Sequence, residues 1–248
     1  MFKHGWVQEF RFAVIFGLAL TLAISAVASE LADKLPNTKG ARQSVTDKFE
    51  QLFVSVTDQL SNRQDKYIND PIAYHAFLMS TVVELWDSSS TTRALLGKKH
   101  YESLAKEQRI ELISAVDETL IRYAFEGLES YSGQVFKVDD VVINEEKGMG
   151  WVQVLMVSPV IPDINLDLLI KRTPRGDWRA VDVRVKGITY VAIKKHGYRE
   201  IFEEKGFDSL LVNFSDKNKE YFNVVCESTG MNKMIDQKGK APCQVRRR

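Results

Sequence analysis

Three strand-like segments follow one another in the most apolar part of the chain, at residues 151–157, 164–172 and 178–185. A strand with one face in water alternates apolar and polar residues. The first two segments do not alternate cleanly; in the first, for example, Leu155 lies on the face opposite Val154. Both faces of these strands therefore need apolar cover. Either helices cover both faces, or one face lines a cavity for an apolar ligand.

Each of the three segments places a set of apolar residues on one face. The sets are Val152, Val154 and Met156 in the first segment, Leu166, Leu168 and Ile170 in the second, and Val181, Val183 and Val185 in the third. The third set is the favoured wall, because its opposite face carries Asp182 and Arg184. We expect these two polar side chains to point outward and to form an ion pair.

Helical periodicity surrounds the strands. Apolar residues recur at spacings of three and four from Val45 to Leu60 and from Ile110 to Leu128, and Pro71 marks another helix start. A first strand is expected at 134–143, and helices at about 189–205 and 208–214. The order of helices, antiparallel strands and helices predicts an α+β fold.

The N-terminal residues have the pattern of a secretory signal peptide. Basic residues precede an uncharged apolar run at 12–24, and Ser25 to Ala28 supplies small residues for cleavage after Ala28. The alternative is an uncleaved signal anchor, because residues 12–28 approach the roughly 20 residues that span a membrane. Export is expected in both cases.

The mature chain is expected to hold one domain. Residues 29–43 are predicted to be a polar linker, residues 44–214 the domain, and residues 215–248 a polar, irregular and mobile extension. The extension carries both cysteines, Cys226 and Cys243. In an oxidising compartment they could form a disulfide that closes a loop of about 17 residues and contributes about 3 kcal/mol.

The sequence lacks the motifs of the common catalytic and cofactor sites. The formal net charge of +1 gives no large field for nucleic acid, so no nucleic-acid partner is expected. Gly148 and Gly150 begin a dinucleotide-binding pattern, but Gln153 takes the place of its third glycine. Histidines lack the helical spacing of a metal site, and no serine-nucleophile motif is present. We therefore expect no enzyme activity, no cofactor and no metal.

Several short motifs occur in a fixed order along the chain. They are Leu95-Leu96-Gly97, Tyr131-Ser132-Gly133-Gln134, Trp178-Arg179-Ala180-Val181-Asp182, Lys186-Gly187-Ile188 and Lys205-Gly206-Phe207-Asp208-Ser209-Leu210. Together they resemble the MlaC family of periplasmic phospholipid-binding proteins. The resemblance extends from about Val45 to Phe214 and agrees with the signal peptide.

The resemblance implies helices packed on a curved four-stranded antiparallel sheet that encloses an apolar pocket. Phospholipid is then the bound ligand, with its acyl chains in the pocket. The implied location is the periplasm. The implied partners are an outer-membrane lipoprotein–porin complex and the MCE-domain subunit of an inner-membrane ABC transporter, between which the family shuttles phospholipid.

The candidate lipid-binding residues combine the sheet faces with three positions on helices or at the mouth. They are Leu96, Tyr123, Val152, Val154, Met156, Leu166, Leu168, Ile170, Val181, Val183, Val185 and Ile188. Ordinary core packing is the alternative at each position, because pocket wall and core have the same composition. Two other functions stay open: an enzyme on a similar cone-shaped fold acting on an apolar small molecule, and a membrane-anchored interaction module.

Overall fold

The computed structural model of the chain describes residues 38–228. The predicted signal peptide, most of the predicted linker and Cys243 lie outside the described residues, so the predicted disulfide does as well. Contacts divide the chain at Ala41, and the packing described below belongs to the unit that begins at Arg42.

Six helices and one five-stranded sheet make up the described residues. Five helices come first: α1 (Thr38–Asn69), α2 (Pro71–Leu85), α3 (Ser88–Leu96), α4 (Lys98–Ser103) and α5 (Lys106–Glu129). The strands β1 (Val135–Asn144), β2 (Met149–Val157), β3 (Ile164–Arg172), β4 (Trp178–Val185) and β5 (Ile188–Thr189) follow, and helix α6 (Tyr190–Ser228) ends the described chain. Each strand pairs antiparallel with the next. The predicted α+β fold is confirmed, with a fifth strand of two residues.

Polar side chains begin three of the helices. The carboxylates of Asp70 and Asp87 accept hydrogen bonds from the backbone amides three residues later, at 3.0 and 2.9 Å. The hydroxyl of Thr189 accepts one from the amide of Ala192 at 3.1 Å. Each bond satisfies an amide that has no partner within its own helix, which fixes where the helix starts.

Helix α1 begins earlier than predicted. It includes residues 38–43, which the sequence predicts to be part of a polar linker. The apolar pattern starts only at Val45, but the preceding turn is stabilised by polar contacts, since the Gln43 amide donates to the Asp47 carboxylate at 2.8 Å. Arg42 also pairs with Asp140 of β1.

The sheet has two β-bulges, and the second changes which residues share a face. Between β3 and β4, Leu169 pairs with Asp182, whereas Ile170 pairs with Ala180, so Val181 is an extra residue. A bulge of this kind interrupts the two-residue alternation of a strand. The prediction that Val181, Val183 and Val185 share one face is therefore wrong: Val183 packs against the core, together with Ala180.

Asp182 lies on the outer face of the sheet with Arg184, as predicted, but the predicted ion pair between these two residues is wrong. The side chain of Asp182 is buried and accepts a hydrogen bond from the amide of Val191 at 3.1 Å. Arg184 instead pairs with Asp167 on β3 at 2.7 Å. The bulge places Asp182 beneath the start of α6, where backbone amides can satisfy its carboxylate.

Three apolar clusters hold the fold together. In the first, Val45 and Phe49 of α1 pack against the inner face of the sheet. The second joins α3 and α5 to α6 around Leu112. The third joins α1, α2, α5 and the end of α6 around Phe125. Helix α1 thus packs directly on one part of the sheet, whereas α2 and α5 pack on α1 and α6 in the third cluster.

Helix α6 extends well past the predicted end of the domain. Gly206, with φ of 81°, kinks the helix where the sequence predicted a stop, and the helix then continues to Ser228. Asn218 and Phe222 are buried, at the four-residue spacing that continues from Phe214. The prediction of irregular structure from residue 215 is therefore wrong. The buried stripe was not recognised in the sequence because one of its members, Asn218, is polar.

None of the helices in the range 38–228 has a segment long and apolar enough to cross a membrane.

Candidate functional site

A cavity of about 590 Å³ lies between the helices and the inner face of the sheet. Its lining comes from α1, α2, α5, the segment after α5, the first three strands and the loop between β2 and β3. The lining residues are Val56, Leu60, Tyr74, Phe77, Leu78, Thr81, Ala124, Gly127, Leu128, Ser130, Tyr131, Ser132, Gln134, Phe136, Met156, Val160, Ile161 and Leu166. Small-molecule sites in proteins typically have volumes of about 300–1,000 Å³. The cavity is therefore large enough for a ligand.

The helical walls of the cavity are apolar and closely packed. Leu60 of α1, Leu78 of α2 and Leu128 of α5 are each at least nine-tenths buried. Phe77 stacks on Tyr67, with their ring centroids 5.5 Å apart. These side chains are held by the third apolar cluster, so the helical wall is part of the folded core.

The sheet contributes Phe136, Met156 and Leu166 to the cavity. Phe136 and Met156 are direct cross-strand partners on β1 and β2. Phe136 also contacts Phe53 of α1, with centroids 5.9 Å apart. This pair of rings lies between the cavity and the compact core in which α1 covers the sheet.

Polar residues of the segment after α5 are bonded to one another. The side-chain oxygen of Gln134 accepts from the amide of Ser132 at 2.7 Å, and its nitrogen donates to the Ser132 hydroxyl at 3.2 Å. The hydroxyls of Tyr131 and Ser61 lie 2.8 Å apart, and Gln64 donates to the Tyr131 carbonyl at 2.7 Å. These contacts satisfy the polar groups of the segment without a ligand.

Tyr74 is a polar lining residue deep in the helical wall. Its hydroxyl donates to the carbonyl of Ala124 at 2.9 Å. Burial raises the pKa of Tyr74 far above its ordinary value, and the nearby Tyr67 adds to that effect. The hydroxyl therefore stays neutral and serves as a hydrogen-bond donor that joins α2 to α5.

The loop between β2 and β3 presents two exposed apolar side chains at the cavity. Val160 is 67% exposed and Ile161 is 45% exposed, although both line the cavity. The Ser158 hydroxyl accepts from both of their backbone amides at 3.3 Å, which fixes the turn. The cavity thus has an apolar edge that faces solvent.

The lining of the cavity carries no charged side chain. None of the lining residues is a lysine, arginine, aspartate, glutamate, histidine or cysteine. In the described part of the chain, no group of three or more His, Cys, Asp or Glu side chains is arranged to hold a metal ion. An uncharged apolar cavity suits a ligand with a long apolar body.

The structure places two of the twelve candidate residues, Met156 and Leu166, in the cavity. Four others on the same sheet face lie in the compact core beneath α1, with exposures of 5% or less: Val152, Val154, Leu168 and Ile170. Leu96 is buried in the cluster between α3 and α6. The inner face of the sheet is therefore part core and part cavity wall.

The remaining candidates lie elsewhere. Val183 is half-buried against the core under α1, while Val181 lies on the outer face. Val185 and Ile188 are 39% and 58% exposed. Tyr123 packs edge to face against Tyr190, with centroids 5.8 Å apart. None of these residues lines the large cavity.

Half of the cavity lining, nine of the eighteen residues, comes from helices, and none of these nine is among the candidate residues. Val56 and Leu60 belong to the apolar periodicity of α1, and Phe77 to that of α2. The periodicity identified these positions as inward-facing. It carries no information on whether an inward-facing residue meets another side chain or an empty space.

Comparisons with known proteins agree with this architecture. A family model described as MlaC protein matches residues 50–216. Among solved structures, the phospholipid-binding protein from Ralstonia solanacearum, determined in complex with a phospholipid, aligns with a TM-score of 0.58 and 15% sequence identity. The alignment covers 73% of this chain and 98% of that protein. At this identity the likeness shows a shared fold. Because the family model spans well over half of the sequence, the chain belongs to the MlaC family.

Proposed function

We propose that this protein is a carrier that binds the acyl chains of phospholipid in the cavity between the helices and the sheet. The observation that carries the proposal is the cavity itself, which has about 590 Å³ of space and no charged residue in its lining. Support comes from the family and from the Ralstonia solanacearum protein of the same fold, whose structure holds a phospholipid.

The acyl chains would contact both walls of the cavity. We assign contact roles to Leu60, Phe77 and Leu128 on the helices, and to Met156 and Leu166 on the sheet. The other sheet-face candidates, among them Val152 and Ile170, would support the wall from the adjoining core. The headgroup would lie at the solvent-facing edge of the cavity, since no lining residue offers it a charge.

Transfer of acyl chains from water into the cavity would release a large free energy, but transfer from a membrane into the cavity would release little. Burial from water contributes about 0.8 kcal/mol per methylene, so two chains of about 16 carbons amount to more than 20 kcal/mol. This exceeds the practical limit of about 18–21 kcal/mol for non-covalent affinity. In a membrane, however, the chains are already out of water. Exchange between bilayer and cavity is then close to thermoneutral, and the carrier's task is to shield the chains during transit.

We further propose that the carrier is exported to the periplasm and moves phospholipid between the outer and inner membranes. The partners would be those of an Mla-type system: an outer-membrane lipoprotein–porin complex and an inner-membrane ABC transporter with an MCE-domain subunit. The sequence contains no nucleotide-binding motif. The direction of transport would therefore be set by the partners.

Native mass spectrometry of the protein purified without detergent tests the proposal. If the protein is a carrier, the spectrum shows adducts that dissociate from the protein as intact phospholipid. An adduct-free protein that turns over an apolar small molecule would favour an enzyme. A protein with neither property would favour an interaction module, and both of these results contradict the carrier.

A further inference from the structure

A second groove lies on the opposite, outer side of the sheet. It has a volume of about 440 Å³ and shares no lining residue with the cavity described above. Its lining comes from α3, the start of α4, β2–β4 and the first part of α6: Ser90, Arg93, Ala94, Gly97, Lys98, Met149, Leu169, Lys171, Val181, Asp182, Val191 and Arg199. The bulge in β4 creates part of this surface by turning Val181 outward beside Leu169.

The groove combines an apolar floor with an excess of positive charge. Leu169, Val181 and Val191 contribute to the floor, and Arg93, Lys98, Lys171 and Arg199 are the four cationic residues of the lining. The single carboxylate of the lining, Asp182, is buried, and its Oδ1 atom accepts from the amides of Val183 and Val191. The lining is therefore cationic overall.

Two of these cations are held in place by neutral groups. The Arg199 guanidinium donates to the carbonyl oxygens of Leu95 and Ala94 at 3.1 and 3.0 Å. The Lys171 ammonium donates to the Ser90 hydroxyl at 2.9 Å. Neither makes an ion pair with a carboxylate in the described part of the chain, in contrast to Arg93, which pairs with Glu102 at 2.6 Å. Their charges are fixed in position but not neutralised.

The strand next to Lys171 adds a further cation. Arg179 of β4 is the direct cross-strand partner of Lys171. Like charges at such positions destabilise a sheet. The Nε atom of Arg179 is also buried without a hydrogen-bond partner among the residues described. Arg179 does not line the groove, so an anion bound there would reduce this repulsion through its contact with Lys171.

We propose that this groove is a docking site for a segment of a partner protein that carries both carboxylates and apolar side chains. Its concave, partly apolar floor fits a protruding chain segment better than the flat surface of a bilayer. The C-terminal residues of this chain do not complement the groove, because they include Lys238, Lys240 and Arg246 to Arg248. The site is independent of the lipid cavity, so the proposal does not rest on the carrier function.

The test uses a matched pair of charge reversals on neighbouring lysines. Lys98 lines the groove, whereas Lys99 is also exposed on α4 but does not line it. The probe is a fluorescein-labelled short peptide of alternating glutamate and leucine, followed by fluorescence anisotropy with the whole protein. We expect Lys98→Glu to weaken binding about fivefold to tenfold and Lys99→Glu to weaken it less than about twofold. Lys171→Gln should weaken binding as well.

Three results would overturn the docking site. The first is no binding of the acidic peptide, or equally tight binding of a lysine–leucine peptide. The second is equal weakening by Lys98→Glu and Lys99→Glu, which would show only general charge attraction. The third is that Lys98→Glu weakens the binding of anionic phosphatidylglycerol vesicles but not the binding of the peptide, which would make the groove a lipid-binding surface. The phospholipid content of the same variants, measured in parallel, separates failure of this site from failure of the carrier function.

Discussion

The carboxylate of Asp182 accepts a hydrogen bond from the backbone amide of Val191 at 3.1 Å, which ties the end of β4 to the first turn of α6. Its other bond, from the amide of Val183, is 2.9 Å long. Asp182 is only 5% exposed, so water cannot replace these bonds. A residue that the strand pattern assigned to the surface is thus a structural link between the sheet and the last helix.

Removal of this carboxylate should therefore destabilise the fold. We expect Asp182→Ala to lower the free energy of unfolding by about 1–2 kcal/mol, because two amides lose their acceptor. Urea denaturation measures the change. Asp177→Ala, at an exposed turn, is the control and should stay within about 0.5 kcal/mol of the wild type. Equal effects of the two substitutions would show that Asp182 does not link the elements.

Substitutions on the inner face of the sheet should cost more stability in the core than at the cavity wall. Ile170 is fully buried under α1, and Ile170→Ala is expected to cost about 2–5 kcal/mol. Met156 borders the cavity, so Met156→Ala enlarges an existing space and should cost only about 1 kcal/mol in lipid-free protein. Denaturant unfolding of both variants tests the division. A larger loss for Met156→Ala would place the cavity wall elsewhere.

Stability should fall in mildly acidic solution because of His75. Burial lowers the pKa of His75, which packs edge to face against Phe222 at 6.3 Å. As pH falls through about 6.5, the unfolded state takes up a proton before the folded state does, so the free energy of unfolding decreases. The measurement is the slope of that free energy against pH between neutral pH and pH 5. His75→Asn should flatten the slope.

The control for this slope is His196→Asn, since the His196 side chain is 89% exposed. Burial raises the pKa of Asp117, so this carboxyl makes stability fall as pH rises above about 4, which is the opposite sign. Both variants keep Asp117, so the difference between their slopes reports on His75 alone. An unchanged slope in His75→Asn would contradict a lowered pKa.

Loss of the bound lipid should lower the melting temperature. A ligand at about 100 times its Kd stabilises the folded state by about 2.7 kcal/mol. For a domain of this size each 1 kcal/mol shifts Tm by about 2–4 °C, so delipidation should lower Tm by roughly 5–10 °C. Differential scanning calorimetry before delipidation, after it and after re-addition of phosphatidylethanolamine measures the shift. Equal Tm values would mean that phospholipid does not bind the folded protein.

Much of the fold follows from periodicity in the sequence. The apolar spacing from Val45 to Leu60 predicts the middle half of α1, and the meander of strands appears in its predicted order. Two features escaped the patterns. The bulge adds Val181 to β4 as an extra residue, so Ala180 and Val183 lie on the same face although they are three positions apart, and nothing in the local sequence marks the bulge. The buried Asn218 interrupts the apolar stripe in the part of α6 that follows the kink at Gly206, so this part of the helix resembled a polar tail.

The cavity was harder to predict than the fold. The excess of apolar residues in the strands left a cavity as one of two possibilities, and the family resemblance implied an apolar pocket. The exact wall of the cavity followed from neither, because Ile170 and Met156 lie on the same sheet face and differ only in what faces them. That difference depends on where α1 ends its contact with the sheet, a tertiary relationship with no signature in the strand itself.

The most direct measurement of the central claim is the phospholipid content of a protein whose cavity is filled. Ala124 of α5 lines the cavity, while Ser114 of the same helix is exposed. Ala124→Trp and Ser114→Trp are purified in parallel, their folding is verified by urea denaturation, and bound lipid is counted by native mass spectrometry. Acyl chains in the cavity predict that Ala124→Trp loses the phospholipid adducts and Ser114→Trp keeps them. Full lipid occupancy in a folded Ala124→Trp variant would contradict the claim.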